Sequence, residues 1–350
     1  MNKSDSERIA QMLEDIGYRP VSRENEAGLI LVNMCSVRQS AVDRIYGFLS
    51  KIKKLKEKKP NLKTILTGCI LKEDRKKFAK GFDLILNIKD LPKWTQKIPC
   101  PAVCAYRKKE KNYLRVQPKH QTNLLAFVPI SNGCNNFCSY CVVPFTRGSL
   151  VCRNHKDILG EVKNLTKRGF KEIWLLGQNV NDYHSPADPS ISFAKLLKMI
   201  NDIPDGFKIL FTSPHPKNFS DELIKTLAKC EKFDKYLNLP VQSGDNQILK
   251  KMNRNYTVGE YKNLVKKIRK EIPGIKLSTD VIVGFPGETK KQSQNTVKLF
   301  KEIRFDNAYI SKYSPRPGTT AWQMKDNIPL VEKKRREKIL RGLIKQYGPR

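Results

Sequence analysis

The sequence predicts an α/β protein in two parts: a small open parallel α/β domain at the N-terminus, followed by a (βα)6 partial barrel. Three observations predict it. Short all-apolar runs of the kind buried on both faces of a parallel sheet recur along the chain. Each is followed by a stretch of helical periodicity, and a polar, proline-bearing interval splits the alternation in two. Strands alternating with helices imply parallel pairing through right-handed crossovers. At 350 residues, 39% of them hydrophobic, the chain is long enough for two domains and a substantial core.

Ser4-Asp5-Ser6-Glu7 ahead of Ile9, Met12, Leu13 and Ile16, with Gly17 as a stop, reads as a capped amphipathic helix. An α/β domain normally begins with the strand that feeds such a helix, so a first strand is expected before it. Leu29-Ile30-Leu31-Val32-Asn33 is a buried strand that runs out at Met34-Cys35-Ser36-Val37-Arg38, and a helix follows over 40–58. Thr64-Ile65-Leu66-Thr67 repeats the pattern, ending at Gly68-Cys69, with a helix over 72–80 and a third strand at Asp83-Leu84-Ile85-Leu86. Cys35 and Cys69 thus close two strands at the carboxyl end, where open α/β sheets place their ligands. Either cysteine alone is equally a small buried hydrophobe; their equivalent positions argue for ligands.

The first domain is expected over 1–98. A linker over 99–123 carries Pro99, Pro101, Pro118 and a charged run at 107–111. The barrel follows over 124–330 and a basic C-terminal helix over 331–350. Its six strands are expected at 127–131, 171–176, 208–212, 236–241, 276–284 and 307–313. Helices are expected over 156–168, 192–202, 221–229, 258–271 and 290–303.

In such a barrel the residues just past each strand collect at one mouth. They are a cysteine-rich loop, Gly177-Gln178-Asn179-Val180-Asn181, Ser213-Pro214-His215-Pro216, Pro240-Val241-Gln242-Ser243-Gly244, Gly284-Phe285-Pro286-Gly287-Glu288-Thr289 and Ser314-Pro315-Arg316-Pro317-Gly318-Thr319. Glycine and proline alone mean turns. Gln178, Asn179, Gln242, Ser243 and Glu288 offer more, a set of hydrogen-bonding groups suited to a polar ligand.

The cysteine loop is Gly133-Cys134-Asn135-Asn136-Phe137-Cys138-Ser139-Tyr140-Cys141, three thiols at spacing Cys-x-x-x-Cys-x-x-Cys. Thiolates select zinc, copper(I) or an iron–sulfur cluster. A closed zinc site wants a fourth ligand, for which Cys152 or His155 is the available candidate. The other reading is a [4Fe-4S] cluster bound by Cys134, Cys138 and Cys141 with one iron open to a ligand.

The chain carries nine cysteines and no export signal in its polar first ten residues, which favours reduced thiols used as ligands and a cytoplasmic location. Cys100, Cys104, Cys152 and Cys230 are expected to be ordinary buried or loop thiols, with Cys100 and Cys104 also able to hold a metal. No stretch is long enough to span a bilayer. The net charge of +33, from 67 Lys and Arg against 34 Asp and Glu, points to a polyanionic partner, nucleic acid above all. The bland alternative for any single run, such as Lys51 to Lys59, is a solvated surface.

The three-cysteine motif followed by Val142-Val143-Pro144-Phe145-Thr146-Arg147-Gly148 resembles the radical S-adenosylmethionine methylthiotransferases, whose core is a partial TIM-type barrel. The likeness runs on through Asn33-Met34-Cys35-Ser36-Val37-Arg38, Leu176 to Asn181, Phe211 to Lys217, Leu239 to Gly244 and Tyr313 to Thr319. It is nearest to the MiaB subfamily, which converts isopentenyladenosine beside the tRNA anticodon to its 2-methylthio form. The resemblance implies S-adenosylmethionine at the open iron, contacted from the second, fourth, fifth and sixth strand ends. It also implies a tRNA anticodon stem-loop as substrate, an electron donor such as flavodoxin or ferredoxin, and a monomeric enzyme without a membrane partner. It further implies a second [4Fe-4S] cluster in the N-terminal domain, with Cys35 and Cys69 as two of three ligands. The third lies in relatives just ahead of Ser-Asp-Ser-Glu; here Met1-Asn2-Lys3 precedes it without a cysteine. A missing first strand and ligand are therefore expected, as is the absence of the small all-β RNA-binding domain that follows in relatives.

Overall fold

The structure, a computed structural model, describes residues 1–98, 112–120, 122 and 124–347. It divides into one unit of Met1–Thr122 with Phe145–Arg147, and a second of Asn123–Pro144 with Gly148–Arg350.

The first unit runs α1 (Asn2–Asp15), β1 (Leu29–Cys35), α2 (Gln39–Lys58), β2 (Lys63–Cys69), α3 (Lys72–Phe78) and β3 (Leu84–Ile85). Its parallel sheet has the order β1-β2-β3. Register pairs Leu29 with Lys63 and, at the far end, Cys35 with Cys69, so the two thiols stand side by side on adjacent strands. Successive strand residues point to opposite faces, and both faces are covered. Ile65 packs with Ile9 and Met12 of α1, with Ile16 just past its end and with Trp94; Leu66 packs with Val42, Ile45 and Ile52 of α2 and with Phe78. That double coverage is why these strands read as continuous apolar runs.

Two expectations for this unit change. α1 starts at Asn2 with no side-chain cap, and Ser4 and Asp5 are fully buried within it. Ser4 and Glu7 are thus not a capping box, because a tertiary partner, Arg147, claims Asp5. Part of the expected linker is core: Tyr113, Leu114 and Val116 are buried with the α1 residues, and Lys119 donates its N–H to Glu7 O at 3.0 Å. Hydrophobic burial of these three side chains outweighs the polar character of the segment around them. Cys100, Cys104 and the charged run at 107–111 lie outside the described residues.

The chain continues with β4 (Leu125–Pro129), β5 (Ser131–Asn132), α4 (Val143–Arg147), β6 (Val151–Cys152), α5 (His155–Lys167), β7 (Glu172–Leu176), β8 (His184–Ser185) and β9 (Asp188–Ser192). Then come α6 (Phe193–Asn201), β10 (Lys208–Phe211), α7 (Asp221–Lys229), β11 (Tyr236–Asn238), α8 (Asn246–Lys251), α9 (Val258–Glu271), β12 (Lys276–Val283), α10 (Lys290–Ile303), β13 (Asn307–Lys312) and α11 (Leu330–Tyr347). β4, β7 and β10 form one parallel sheet and β11, β12 and β13 another. A parallel bridge from Ile209 to Phe233 joins the two. The six strands therefore follow one another in chain order, the layout of a (βα)6 partial barrel.

Its core runs from Ala126 and Val128 of β4 to Ala308 and Ile310 of β13. Capping boxes at Thr257/Glu260 and Thr289/Gln292 start α9 and α10 and so fix the loops that precede them. Two antiparallel pairs, β5 with β6 and β8 with β9, add to the expected elements. Among the described residues no helix is long and apolar enough to cross a membrane.

Candidate active site

The cysteine loop leaves the sheet at Gly133, whose φ of +86° suits glycine alone among common residues. A Cβ there would lie 2.1 Å from Ser149 O and 2.5 Å from Gly148 O, so the absence of a side chain is what lets the two segments meet. Gly133 N donates to Gln178 Oε1 at 2.6 Å, Cys134 N to Gly148 O at 3.1 Å, and Leu150 N to Asn135 Oδ1 at 3.0 Å. The far side of the loop rests on the end of α8. Ser139 donates its N–H to Met252 O at 3.0 Å and its hydroxyl to Lys251 O at 2.8 Å, and Asn253 Nδ2 donates to Phe137 O at 3.1 Å.

Cys134, Cys138 and Cys141 are free thiols within this frame. Burial pushes the Cys134 thiol up, and it pushes Cys141 up to about 12 against a backbone hydrogen bond from Val143, with Cys138 and Cys134 adding to the rise. A metal must displace these protons to bind. Among the described residues no three His, Cys, Asp or Glu side chains form a single-ion site. His155 has Nδ1 2.7 Å from Ser185 Oγ, and Cys152 pairs with Ser131 in the β5/β6 pair. A [4Fe-4S] cube takes each thiolate on a separate iron, which three thiols spaced along one loop can supply.

The mouth residues divide by what they already hold. Asn179, 1% exposed, has both amide atoms buried without a partner, and Gln242 Oε1 is in the same condition. Such groups are costly unless something fills them, so these two fit a polar ligand. Gln242 sits at φ +68°, a strained position for a residue with a Cβ. Gln178 is committed to the cysteine loop, and Ser243 Oγ accepts Asp245 N–H at 3.3 Å. Glu288 is also engaged within the unit: its Oε2 accepts Gly284 N–H at 2.7 Å and pairs with Arg336 at 2.6 Å. Burial raises its pKa against both partners.

In the first unit, Cys35 and Cys69 share a hydrogen bond that pulls the Cys35 thiol down and pushes Cys69 up. Cys69 Sγ donates to Asn2 Oδ1 at 3.5 Å and accepts from Arg147 Nε at 2.9 Å; Arg147 also pairs with the fully buried Asp5 at 2.6 Å. Gly68, at φ +109°, lets the strand ends close: a Cβ would stand 2.2 Å from Met34 O. The two thiols expected to ligate a second group are thus adjacent and beside a buried guanidinium.

Sequence reasoning gave no individual role to three residues. His215 is held by Asn181, has a buried Nε2 without a partner, and is pulled down to about 3 by burial with Arg254 and Lys217 adding. Arg254 is buried, donates to Cys138 Sγ at 3.6 Å and lies over the Tyr256 ring. Burial opposes its charge, but Tyr140, Tyr256 and Cys138 hold it above the usual arginine value. Arg147 was noted only as part of a motif. The signal for Arg254 was Met252-Asn253-Arg254-Asn255-Tyr256, polar residues just before the Thr257 cap with no turn glycine to account for them.

Residues 128–300 match the model of the radical SAM superfamily, and residues 1–87 match the uncharacterized protein family UPF0004. The tRNA-2-methylthio-N(6)-dimethylallyladenosine synthase of Clostridium novyi is 42% identical over 340 residues, covering 94% of this chain and 75% of that protein. The protein of that name from Acetivibrio thermocellus is 42% identical over 347 residues, covering 96% and 72%. Among solved structures, the radical S-adenosylmethionine methyltransferase TsrM from Kitasatospora setae, with cobalamin and a [4Fe-4S] cluster bound, superposes at a TM-score of 0.57. It is 17% identical, over 90% of this chain and 68% of that one. The cobalamin-dependent S-adenosylmethionine radical enzyme OxsB gives 0.55 at 12% identity, over 97% and 50%. These two likenesses speak to the fold alone.

Proposed function

Since this chain belongs to the radical S-adenosylmethionine family of tRNA-2-methylthio-N(6)-dimethylallyladenosine synthases, we propose that it inserts sulfur and a methyl group at C2 of isopentenyladenosine next to the anticodon of tRNA. The observation that carries the reading is the braced loop presenting Cys134, Cys138 and Cys141 as free thiols, in a unit where the strand-end residues Asn179 and Gln242 keep buried polar atoms without partners.

In this reading Cys134, Cys138 and Cys141 hold a [4Fe-4S] cluster, and Asn179 and Gln242, with Gln178 and Ser243 around them, hold S-adenosylmethionine. Bound together, cluster and nucleoside supply the one-electron chemistry needed to replace an unactivated aromatic hydrogen. The chain's part is to orient them and keep water out: Gly133 and Gln178 set the loop, and the barrel encloses its partners. Cys35 and Cys69 are the proposed ligands of a second cluster. The net charge of +33 suits a tRNA anticodon stem-loop, whose phosphates dominate affinity. An external donor of the flavodoxin or ferredoxin kind supplies electrons, and the enzyme works as a cytoplasmic monomer.

Anaerobic reconstitution with iron and sulfide, followed by S-adenosylmethionine, a reductant and tRNA that carries isopentenyladenosine without the methylthio group, tests this. The expected products are 5′-deoxyadenosine and 2-methylthio-isopentenyladenosine, both abolished by Cys138→Ala. Protein that holds one zinc and releases no 5′-deoxyadenosine overturns the reading. Methylthiolation of threonylcarbamoyladenosine or of a ribosomal protein instead overturns only its substrate.

A further inference from the structure

Arg254 is 6% exposed. Its donors reach Tyr256 Oη at 3.0 Å, Pro240 O at 3.0 Å and Cys138 Sγ at 3.6 Å, and no carboxylate among the described residues pairs with it. An arginine cannot shed its proton to escape burial. A buried cation without a counter-ion is strongly destabilising, and of the three partners of Arg254 the Cys138 sulfur is the one that belongs to the proposed cluster.

The segment that carries Arg254 also carries the loop. Lys251 and Met252 accept from Ser139, and Asn253 donates to Phe137 O. Tyr256, which receives Arg254 Nε, is itself tied to Val241 O at 2.9 Å, and its neighbour Thr257 caps α9. The guanidinium is therefore fixed relative to the sulfur by backbone on both sides.

Resting on the cluster assignment made above, we propose that Arg254 is the counter-charge of the iron–sulfur group held by Cys134, Cys138 and Cys141. It is a positioning residue that acts through Cys138 and makes the cluster easier to reduce. Uptake of one electron from the donor makes the cluster one unit more negative, and a guanidinium donating to a ligand sulfur stabilises that state over the oxidised one. Net charge and hydrogen bonds to sulfur are the protein's main controls on such potentials.

The experiment uses the full chain carrying Cys35→Ala and Cys69→Ala, so that a single cluster gives the signal. After anaerobic reconstitution, the reduced-cluster spin signal is followed by electron paramagnetic resonance against applied potential, for this background and with Arg254→Gln or Arg254→Lys added. Arg254→Gln is expected to shift the midpoint to more negative potential by roughly tenfold in the reduction equilibrium, about 59 mV for one electron, and Arg254→Lys by less. A Gln variant that cannot hold iron beside a Lys variant that can also supports the role of charge. An unchanged midpoint in Arg254→Gln overturns the proposal, as does equal loss of iron from both variants, which would make the role one of packing against Tyr256. Absence of an iron–sulfur signal from the background protein itself instead defeats the underlying cluster assignment.

Discussion

Asn181 grips His215 by both of its backbone groups: Nδ2 donates to His215 O at 2.9 Å and Oδ1 accepts His215 N–H at 2.8 Å. The Nδ1 of that imidazole already accepts Lys217 N–H at 3.2 Å, so its one proton resides on Nε2, and burial keeps the ring neutral. The folded pKa is about 3 against an ordinary 6.5. The unfolded chain therefore takes up a proton that the folded chain refuses. Stability from this group is complete above pH 6.5 and is lost as pH falls toward 3. Between pH 6.5 and 5 the loss is about 2 kcal/mol. Thermal melts of the metal-free chain should show it, and His215→Gln should flatten the acid slope; equal slopes in both proteins refute the buried neutral histidine.

Glu288 and Arg336 form an ion pair with side chains 2% and 4% exposed, and it bolts α11 to the loop after β12. Breaking such a pair from one side leaves a lone buried charge, so Arg336→Met should cost about 3–5 kcal/mol. Replacing both, as Glu288→Leu with Arg336→Met, should restore most of that and leave S-adenosylmethionine binding by the loaded protein unchanged. Weak nucleoside binding by a stable double variant would return Glu288 to the cofactor.

Gly133→Ala places a Cβ where φ is +86° and backbone oxygens stand 2.1 and 2.5 Å away. The left-handed conformation alone costs about 1–2 kcal/mol, and the clash has to push the cysteine loop off Gly148 and Ser149. A lower melting temperature and iron content at less than half of the wild-type level are expected. Wild-type iron loading in this variant would show that the loop does not depend on that close approach.

The alternation of apolar runs and helical stretches was enough to place the sheet strands, because burial on both faces leaves nothing polar to interrupt Leu29 to Val32 or Ile65 and Leu66. The cysteine loop was legible for a similar reason: three thiols in eight residues have few other uses. Tertiary partners were what the sequence could not show. Ser4 and Glu7 carry the letters of a cap, yet Asp5 between them is claimed by Arg147, 142 positions away. Glu288 reads as a ligand-binding carboxylate, and its ion-pair partner Arg336 stands 48 positions on. Tyr113, Leu114 and Val116 were hidden among charges, and Arg254 lies 116 residues from the sulfur that it meets.

Asn179 separates binding from folding most cleanly. Its amide is buried with neither atom satisfied, an arrangement that costs about 1–3 kcal/mol relative to paired groups. Asn179→Ala removes the unpaired groups along with a small volume, so the metal-free chain should be as stable as the wild type or slightly more so. If the amide exists to meet the nucleoside amino acid, the same change should weaken S-adenosylmethionine binding by the reconstituted protein about tenfold or more, because a bond to a charged group contributes about 1.5–3 kcal/mol. Binding followed by equilibrium dialysis, beside a melting curve of the metal-free protein, gives both quantities. A variant that loses stability while keeping its affinity would mark Asn179 as a strut of the barrel. The opposite pattern, equal stability and lost affinity, is what two unpaired atoms at a strand end predict.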